Sequence, residues 1–394
     1  MDIMNQTYQI PFGQRILAKF PWLADAIFFV SFELIVLTNF IQGTMLYNHQ
    51  ISSVVVGKVQ IIAGILAVLK VLLFDDKSIS GWLLTIFVGV LLWQSATLAL
   101  GYDIFYYFLL LIAAKNVNFK YIAASFFATT TVALLLVFSL AKFGIIPNLS
   151  FTKANGTFAL GMNYPTDLAA RFFYLLAAYA LFKNFALSLP EKISFLAVIV
   201  LTYTVTHTRV DLLVMALLLL AIIFYKQVAF ILEKVTNKGI TVLLGALVAV
   251  LVGASYLYRD HSTLFTLANK IFSNRLSLGN RAFKEYNVTL LGQPIPQQGF
   301  GGSSTEKLAD YFYIDSSYLR ILMMFGAVTF LIFIGLLVYL SQKFMQQRLY
   351  AFEIVLILVA ISSLIDQHLY DVSFNIILLA ALANLDYAKD SHYY

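Results

Sequence analysis

The sequence predicts an all-α, polytopic membrane protein, and its composition and long apolar runs support this prediction. Of the 394 residues, 61% are hydrophobic and only 12% are charged, and the mean hydropathy is +0.84. Soluble globular proteins carry about 25% charged residues. No polar stretch between the apolar runs is long enough to form a separate soluble domain. We therefore expect a single membrane domain over residues 1–394.

Apolar runs long enough to cross a bilayer as helices recur along the whole chain. They fall at 22–42, 54–73, 82–114, 121–145, 166–186, 193–225, 239–258, 316–340, 350–366 and 372–386. The runs at 82–114 and 193–225 are too long for one span, which needs about 20 residues, and short for two. Gly101-Tyr102-Asp103 lies in the first and His207-Thr208-Arg209 in the second, where a helical hairpin would turn.

The distribution of positive charge favours a hairpin in both of these runs. If the N-terminus is cytoplasmic, two hairpins place most loop Lys and Arg residues inside, in agreement with the positive-inside bias. Two single spans would instead move Lys115, Lys120, Lys183 and Lys192 outside. The hairpins give about twelve transmembrane helices, both termini in the cytoplasm, and one large outer-face loop at 259–315.

Several kinds of chemistry are excluded by the composition. There is no Cys, which excludes disulfides and thiolate metal sites, and the five His residues show no metal-ligand spacing. The net charge of +6 is scattered over short loops, so it is explained by topology and predicts no nucleic-acid partner. We expect neither a metal nor another cofactor.

The polar stretch between residues 259 and 320 is the strongest functional signal in the sequence. It carries seven Lys or Arg residues and five Asp or Glu residues between two apolar runs. Long loops in compact domains are usually functional. Other cations from distant parts of the chain, among them Arg171 and Arg209, are predicted at the same side of the membrane. Arg binds two phosphate oxygens with its planar guanidinium, so we expect an anionic ligand there.

Three patterns resemble the Wzy-type polysaccharide polymerases, which belong with the O-antigen ligases among multi-spanning glycosyltransferases. They are the Thr208-Arg209-Val-Asp211 break, the spacing Arg281-x10-Gly292, and the run from Gly292-Gln-Pro-Ile-Pro to Tyr313-Ile-Asp315-Ser-Ser-Tyr318-Leu-Arg320. The resemblance covers nearly the whole chain in architecture and implies a GT-C-like fold. Where ligases carry a His near the start of the corresponding helix, this chain has Asp315.

The resemblance implies a reaction at the outer face of a bacterial cytoplasmic membrane. One polyprenyl-diphosphate-linked oligosaccharide donates its glycan to the terminal hydroxyl of a second, and lipid diphosphate is released. The implied partners are this donor and acceptor, membrane lipids, and flippase and chain-length regulator proteins. The outer loops carry no DxD sugar-nucleotide motif, as expected for a lipid-diphosphate donor.

The candidate site residues each have a structural alternative. We expect Arg281, Arg209 and Arg171 to bind diphosphate, although each could pair with a nearby carboxylate, respectively Glu285, Asp211 and Asp167. Asp315 is the candidate base or acceptor ligand, and it could equally cap the next helix. Four further residues are candidate substrate ligands that could be structural or solvated: His207, Arg275, Lys284 and Tyr318. Asp366 and His368 are weaker candidates in the last outer turn.

Two rival functions remain open. A glycan ligase would share the fold and the donor but use a different acceptor. A lipid-linked oligosaccharide flippase or other transporter would need polar residues along a path through the bilayer. Charges within the predicted spans are few, Glu33 among them, and the polar residues concentrate on one face.

Overall fold

The computed structural model describes Gly13 and residues 19–151, 156–235, 237–299 and 310–389. Over these residues the chain is mostly helical and contains seven helices long and apolar enough to cross a membrane, or eight if a bent pair is counted as one span. The prediction of a polytopic, predominantly α-helical membrane protein is thus confirmed. Lys153, Lys307, Gly301 and Gly302 lie outside the described residues.

The first half of the chain is a series of helices joined by short turns. Its elements are α1 (Leu23–Gln42), α2 (Met45–His49), α3 (Ser53–Phe74), α4 (Ile79–Ala99), α5 (Asp103–Ala113), α6 (Phe119–Lys142), the two-residue antiparallel strands β1 (Ser150–Phe151) and β2 (Thr157–Phe158), and α7 (Pro165–Phe182). Polar caps set several helix starts, because a side-chain oxygen can accept from an otherwise unpaired N–H of the first turn. Ser52, Ser78 and Asn118 act in this way for α3, α4 and α6.

The second half contains the polar stretch and ends in irregular structure. Its elements are α8 (Leu189–Thr206), α9 (Arg209–Ile223), α10 (Tyr225–Lys234), α11 (Asn237–Tyr256), α12 (Thr263–Ile271), α13 (Arg275–Glu285), α14 (Ser317–Arg320), a π-helix (Ile321–Phe325), α15 (Gly326–Gln346), α16 (Tyr350–Ser362), 3₁₀ turns at His368–Tyr370 and Ile377–Ala381, and α17 (Asp386–Lys389). Helices α9 and α10 meet at an angle of 92°.

Both predicted hairpins form, with their breaks at the predicted positions. Leu100, with φ of 56°, ends α4, and α5 begins three residues later at Asp103. His207, with φ of 51°, ends α8, and α9 begins at Arg209. A residue in the left-handed conformation cannot continue a helix, so each chain reversal is fixed locally.

The prediction of a regular last helix over 372–386 is wrong. This segment consists of turns and one 3₁₀ helix, Ile377–Ala381. It nevertheless crosses the protein: Asp371 contacts Asn39 at one end of the bundle, and the Asn384 carbonyl accepts from the Phe119 amide at the other. Residues 372–381 are all buried by protein. Irregular backbone at membrane depth is tolerated in such a position because lipid does not reach it.

Two ends of the helix bundle can be distinguished by their contacts. At the first, hereafter the site end, the α1–α2 turn, the α4–α5 turn and residues 363–371 lie together, and the Ser317 amide donates to the Asp366 carbonyl at 3.0 Å. At the opposite end, Lys70 Nζ lies 2.6 Å from Asp75 Oδ1 and donates to the Lys115 carbonyl. An apolar core fills the space between the two ends.

Candidate functional site

A polar cavity of about 230 Å³ opens at the site end. It is lined by residues from α1, α5, α7 and α14 and from the loops at 163–164, 313 and 367–374. The ionisable side chains of acids, arginines and histidine in its wall are Asp103, Asp167, Arg171, Arg320, His368 and Asp371. Charged groups at this depth in a membrane protein are costly and mark a functional site by default.

Arg171 lines the cavity and is 1% exposed. Its guanidinium carbon lies 4.2 Å from the ring centre of Phe40 and 4.0 Å from that of Phe374, so the group is stacked between two aromatic faces. Nη1 donates to the Ser373 carbonyl at 3.2 Å and Nη2 to the Phe40 carbonyl at 3.4 Å. Its buried Nε makes no hydrogen bond within the described part of the chain. Arg171 thus brings a positive charge to the cavity with no carboxylate bonded to it.

Arg320 is the second arginine of the cavity wall and comes from the end of α14. Its Nη1 donates to Gln297 Oε1 at 3.0 Å and to the Ile314 carbonyl at 3.3 Å. The guanidinium lies over the Tyr313 ring, 5.1 Å from its centre, and Tyr313 in turn donates its hydroxyl to Gln367 at 2.8 Å. Like Arg171, Arg320 is therefore oriented by carbonyl and amide oxygens and an aromatic face.

Asn39 holds two carboxylates of the cavity together. Its Nδ2 lies 3.4 Å from Asp103 Oδ1 and 3.2 Å from Asp371 Oδ1. Its own Oδ1 accepts a hydrogen bond from Gln60 Nε2 at 2.9 Å. This contact orients the NH₂ group of the Asn39 amide towards the two acids. The Asp371 carboxylate also accepts from the Ser373 amide at 2.8 Å. The outcome is a pair of fixed oxygen acceptors drawn from α5 and the final crossing segment.

Asp167 and His368 form a close pair on another side of the cavity. His368 Nε2 lies 3.6 Å from Asp167 Oδ1, and the imidazole stacks on the Phe374 ring with a centroid separation of 3.7 Å. Burial, and then the positive charges of Arg171 and Arg320, lower the pKa of His368 to about 3. The imidazole is therefore neutral at pH 7 and a weak base, so the Asp167 carboxylate is the better proton acceptor of the pair.

Asp315 and Asp366 lie near the cavity without being in its wall. Asp315 Oδ2 is 3.1 Å from Arg275 Nη2, with both side chains about one-fifth exposed. Burial raises the pKa of Asp315, and Arg275 and Arg320 oppose that change. Burial also raises the pKa of Asp366, to about 6, against the effects of Arg275 and the hydrogen bond from Ser362.

Of the predicted site residues, Arg171 lines the cavity, and Asp315 and Arg275 lie together close to it. Among the described residues, Arg171 does not form the ion pair with Asp167 that was the structural alternative; its Nη1 and Nη2 donate to carbonyl oxygens instead. Tyr318 is buried and donates its hydroxyl to the Ala360 carbonyl at 3.1 Å, a packing role rather than a place in the cavity wall.

The other predicted residues lie away from the cavity. Arg281 pairs with Glu285 at 2.6 Å, as its alternative reading allowed, and also with Asp310 at 2.8 Å. Arg209 and Lys284 are exposed on the surface. His207 ends α8, and its Nδ1 lies 2.9 Å from the Tyr203 carbonyl. The predicted convergence of Arg171, Arg209 and Arg281 on one ligand is therefore not seen.

Sequence reasoning missed several residues that the structure places in the cavity. Asp103 was interpreted only as part of a turn, Asp371 lies in the irregular crossing segment, and Asn39 is a single polar residue within an apolar helix. Asn39 and Asp371 are 332 positions apart, so no local pattern joins them. For Asp103 and Asp371, the signal available in the sequence was an ionisable residue at the end of a predicted span.

Comparisons with protein-family models, with curated proteins and with solved structures found no match to this chain. The chemistry of the site therefore rests on its residues. Arginines without bonded carboxylates can bind a phosphate group, fixed carboxylates can accept hydroxyl protons in hydrogen bonds, and the Asp167–His368 pair can take up a proton. Within the described residues, no group of three or more acidic, His or Cys side chains is placed to hold a metal ion.

Proposed function

We propose that this protein is a polysaccharide polymerase that joins lipid-diphosphate-linked oligosaccharide repeat units at the outer face of the membrane. The observation that carries the proposal is the cavity at the site end, where two arginines, three aspartates and one histidine meet. A ligand that suits this wall has both an anionic part and a part rich in hydroxyl groups. A glycosyl diphosphate has both.

The arginines are assigned to the diphosphate. Arg171 and Arg320 are oriented by neutral oxygens and aromatic rings, so neither charge is already neutralised by a direct carboxylate contact. As the leaving diphosphate develops negative charge, preoriented guanidinium groups stabilise it without having to reorganise. Removing one such donor typically slows a reaction about 100-fold or more.

The carboxylates are assigned to the sugar rings. Asp103 and Asp371, held together by Asn39, offer fixed acceptors for sugar hydroxyl groups. These acids and Asp167 outnumber the two arginines, which argues against a purely anionic ligand. The acidic majority therefore supports a glycan-bearing substrate more directly than a free phosphate.

The Asp167–His368 pair is assigned to proton transfer. In the proposed step, the acceptor hydroxyl oxygen bonds to the anomeric carbon of the donor and the bond from that carbon to the diphosphate oxygen breaks. The hydroxyl proton passes to the pair, and lipid diphosphate departs as the anion. Asp315 is the less suitable base because its carboxylate already pairs with Arg275 at 3.1 Å.

The proposal includes a full topology of twelve crossings in a GT-C-like arrangement. The seven long helices, the shorter α5, α7, α9 and α16, and the segment 372–385 would together cross the membrane twelve times. Both termini would then lie in the cytoplasm and the site end outside, in a bacterial cytoplasmic membrane. Donor and acceptor lipids would be the partners, together with flippase and chain-length regulator proteins.

The proposal is tested by following lipid-linked glycan in cells with and without the protein, on gels, after separating the outer-face pool from the inner. Loss of the protein should remove the polymer ladder and accumulate single repeat units outside. Repeat units that stay inside would instead indicate a flippase, and long polymer retained on its lipid would indicate a ligase.

Variants make the same test specific to the cavity. Arg320→Gln should lower polymer formation about 100-fold. Gly43→Ala should also lower it, because an added Cβ would lie 2.7 Å from Arg171 Nη2 and displace the guanidinium. Arg281→Gln and Gly57→Ala are the controls, since Arg281 lies outside the cavity wall and an added Cβ at Gly57 meets nothing within 4 Å. Full activity of Arg320→Gln, at normal membrane abundance, would refute the proposal.

A further inference from the structure

A second cavity, of about 440 Å³, is an apolar groove between α11 and α13. Val252, Gly253 and Tyr256 of α11 form one wall, Phe283 of α13 forms the other, and Val288 and Leu322 complete it. Its volume falls within the range of about 300–1,000 Å³ typical of ligand sites. We call it the α11–α13 groove.

The α11–α13 groove is held open by polar contacts outside its apolar walls. Asn280 Nδ2 donates at 3.0 Å to the carbonyls of both Ser255 and Tyr256, which fixes α13 to the last turn of α11. Gly279 permits this approach, because an added Cβ there would lie 3.0 Å from the Ser255 side chain of α11. Tyr256 and Phe283 meet edge to face at 5.4 Å. The groove is therefore a preformed feature.

The surroundings of the groove indicate that hydrocarbon covers it. Helix α11 is one of the seven apolar helices long enough to span the bilayer. The neighbouring α12 exposes Leu264, Leu267 and Ile271, which are 75%, 59% and 67% accessible and lie along one face at helical spacing. An amphipathic helix of this kind lies in the membrane interface with its apolar face among lipid chains. Lipid tails would therefore be within reach of the groove.

The groove also adjoins the polar cavity. Tyr286, in the groove wall, stacks on Phe312 with a centroid separation of 6.3 Å, and the next residue, Tyr313, lines the polar cavity. Leu322 of the groove follows Arg320 of the cavity by two positions. The segments 312–313 and 320–322 therefore link the groove to the polar cavity.

We propose that the α11–α13 groove binds the part of a polyprenyl chain nearest the diphosphate of a lipid-linked substrate. This inference rests on the proposed function, whose substrate supplies the chain, and deepens it by giving the lipid tail a binding site. The apolar walls would hold the chain through van der Waals contacts, because lipid and groove are equally apolar, while the arginines of the neighbouring cavity bind the phosphates.

Gly253 provides a substitution that fills the groove without disturbing the fold. An added Cβ at Gly253 meets nothing within 4 Å, so Gly253→Leu projects its side chain into the space that the polyprenyl chain would occupy. Gly245 on the same helix is equally open and lies outside the groove wall. Gly245→Leu is the matched control for changes in helix propensity and in the hydrophobicity of α11.

The test is photolabelling of the full-length protein in phosphatidylcholine nanodiscs. One sample contains a polyprenyl phosphate with a diazirine near the phosphate, and a second contains a phosphatidylcholine with a diazirine in its acyl chain. Labelled peptides are mapped by mass spectrometry. We expect the polyprenyl probe to label residues 252–256 and 283–288. Gly253→Leu should reduce this labelling about tenfold, because its side chain occupies the space of the polyprenyl chain and removes its packing contacts. Gly245→Leu should leave it unchanged.

Two outcomes would overturn the inference. One is equal labelling of the groove by the phosphatidylcholine probe, which would make the occupant an ordinary bilayer lipid. The other is polyprenyl labelling elsewhere, or labelling of the groove that Gly253→Leu leaves intact. Labelling of the groove and polymer formation are separate readouts. If Arg320→Gln does not affect polymer formation, the proposed function is refuted, and labelling of the groove would then need another explanation.

Discussion

At the scale of single residues, His368 shows how the cavity sets a protonation state. The imidazole is 6% exposed, stacked on Phe374, and close to the positive charges of Arg171 and Arg320. These surroundings lower its pKa from the ordinary 6.5 to about 3. The folded protein thus excludes a proton that the unfolded chain would bind between those two values.

The protonation state of His368 gives a stability prediction with a definite sign. Because its folded pKa is depressed, His368 contributes stability that is complete above pH 6.5 and is lost as the pH falls towards 3. Lowering the pH from 6.5 to 5 should cost about 2 kcal/mol at most through this group. The thermal midpoint of the wild type in detergent should therefore fall more steeply with acid than that of His368→Gln. The raised pKa of Asp366 has the opposite effect on stability as the pH falls. Asp366 is present in both proteins, so its effect cancels in the comparison. Parallel curves would contradict the prediction.

Individual site residues could be predicted only where their chemistry was locally unusual. Arg171 stood out because a charge opens an apolar helix, and the structure places it in the cavity. Arg209 stood out for the same reason and Arg281 for its spacing to Gly292. Arg209 is exposed and Arg281 is partly exposed and paired with Glu285 and Asp310, because a sequence does not show which face of a helix a charge occupies. Asn39, Asp103 and Asp371 meet only through tertiary contacts spanning 64 and 332 positions.

At the scale of elements, the turn at Gly292 and the start of α15 pack backbone against backbone. Gly292 has φ of 110°, and an added Cβ there would lie 2.6 Å from the Met324 carbonyl oxygen. Gly326, with φ of 88°, approaches the Gly292 nitrogen equally closely. The π-helix that precedes Gly326 begins directly after Arg320, so this contact fixes the element that positions the arginine. Gly292 therefore has a structural reason to be glycine that is independent of Arg281.

The two ends of the Arg281-x10-Gly292 spacing should consequently behave differently on substitution. Gly292→Ala should destabilise the protein by about 2–4 kcal/mol, because the alanine would face both a left-handed backbone and a clash with main-chain atoms. Arg281→Ala, which removes partly exposed ion pairs, should cost about 1 kcal/mol or less. Thermal unfolding of the purified variants compares them. Gly335→Ala, in an open position on α15, is the control and should not destabilise. Equal losses for Gly292→Ala and Arg281→Ala would refute this distinction.

Helices were predictable from the sequence, whereas the irregular crossing segment was not. Both hairpin breaks were found because Gly101-Tyr-Asp103 and His207-Thr-Arg209 interrupt apolar runs with polar residues. Residues 372–386 are as apolar as the helices, so composition predicted a helix there too. Their surroundings decide otherwise: residues 372–381 are enclosed by protein, and Asn375 Nδ2 donates to the Leu369 carbonyl at 2.8 Å. Hydropathy does not show that neighbouring groups will provide hydrogen bonds for the backbone N–H and C=O groups of such a segment.

At the scale of the whole molecule, the two ends of the bundle differ in chemistry. The site end gathers the polar cavity and the 257–299 segment, whereas the opposite end carries Lys70, Lys115, Lys183 and Lys343 in contact with carboxylates or carbonyls. Lysines concentrate in cytoplasmic loops of membrane proteins. The positive-inside bias therefore predicts that the site end faces outwards, as the proposed polymerase requires.

The orientation can be tested directly because the chain contains no Cys, so single-cysteine variants need no prior substitutions. Asp260→Cys reports on the site end, and Lys226→Cys and Lys389→Cys report on the opposite end; all three side chains are exposed. In intact cells a membrane-impermeant maleimide should label Asp260→Cys alone, and permeabilised cells should label all three. Labelling of Lys389→Cys in intact cells, together with Asp260→Cys, would leave an even number of crossings after α13 and remove the final segment from the count. Labelling of Lys226→Cys and Lys389→Cys without Asp260→Cys would reverse the orientation and place the cavity on the cytoplasmic face, where outer-face polymerisation could not occur.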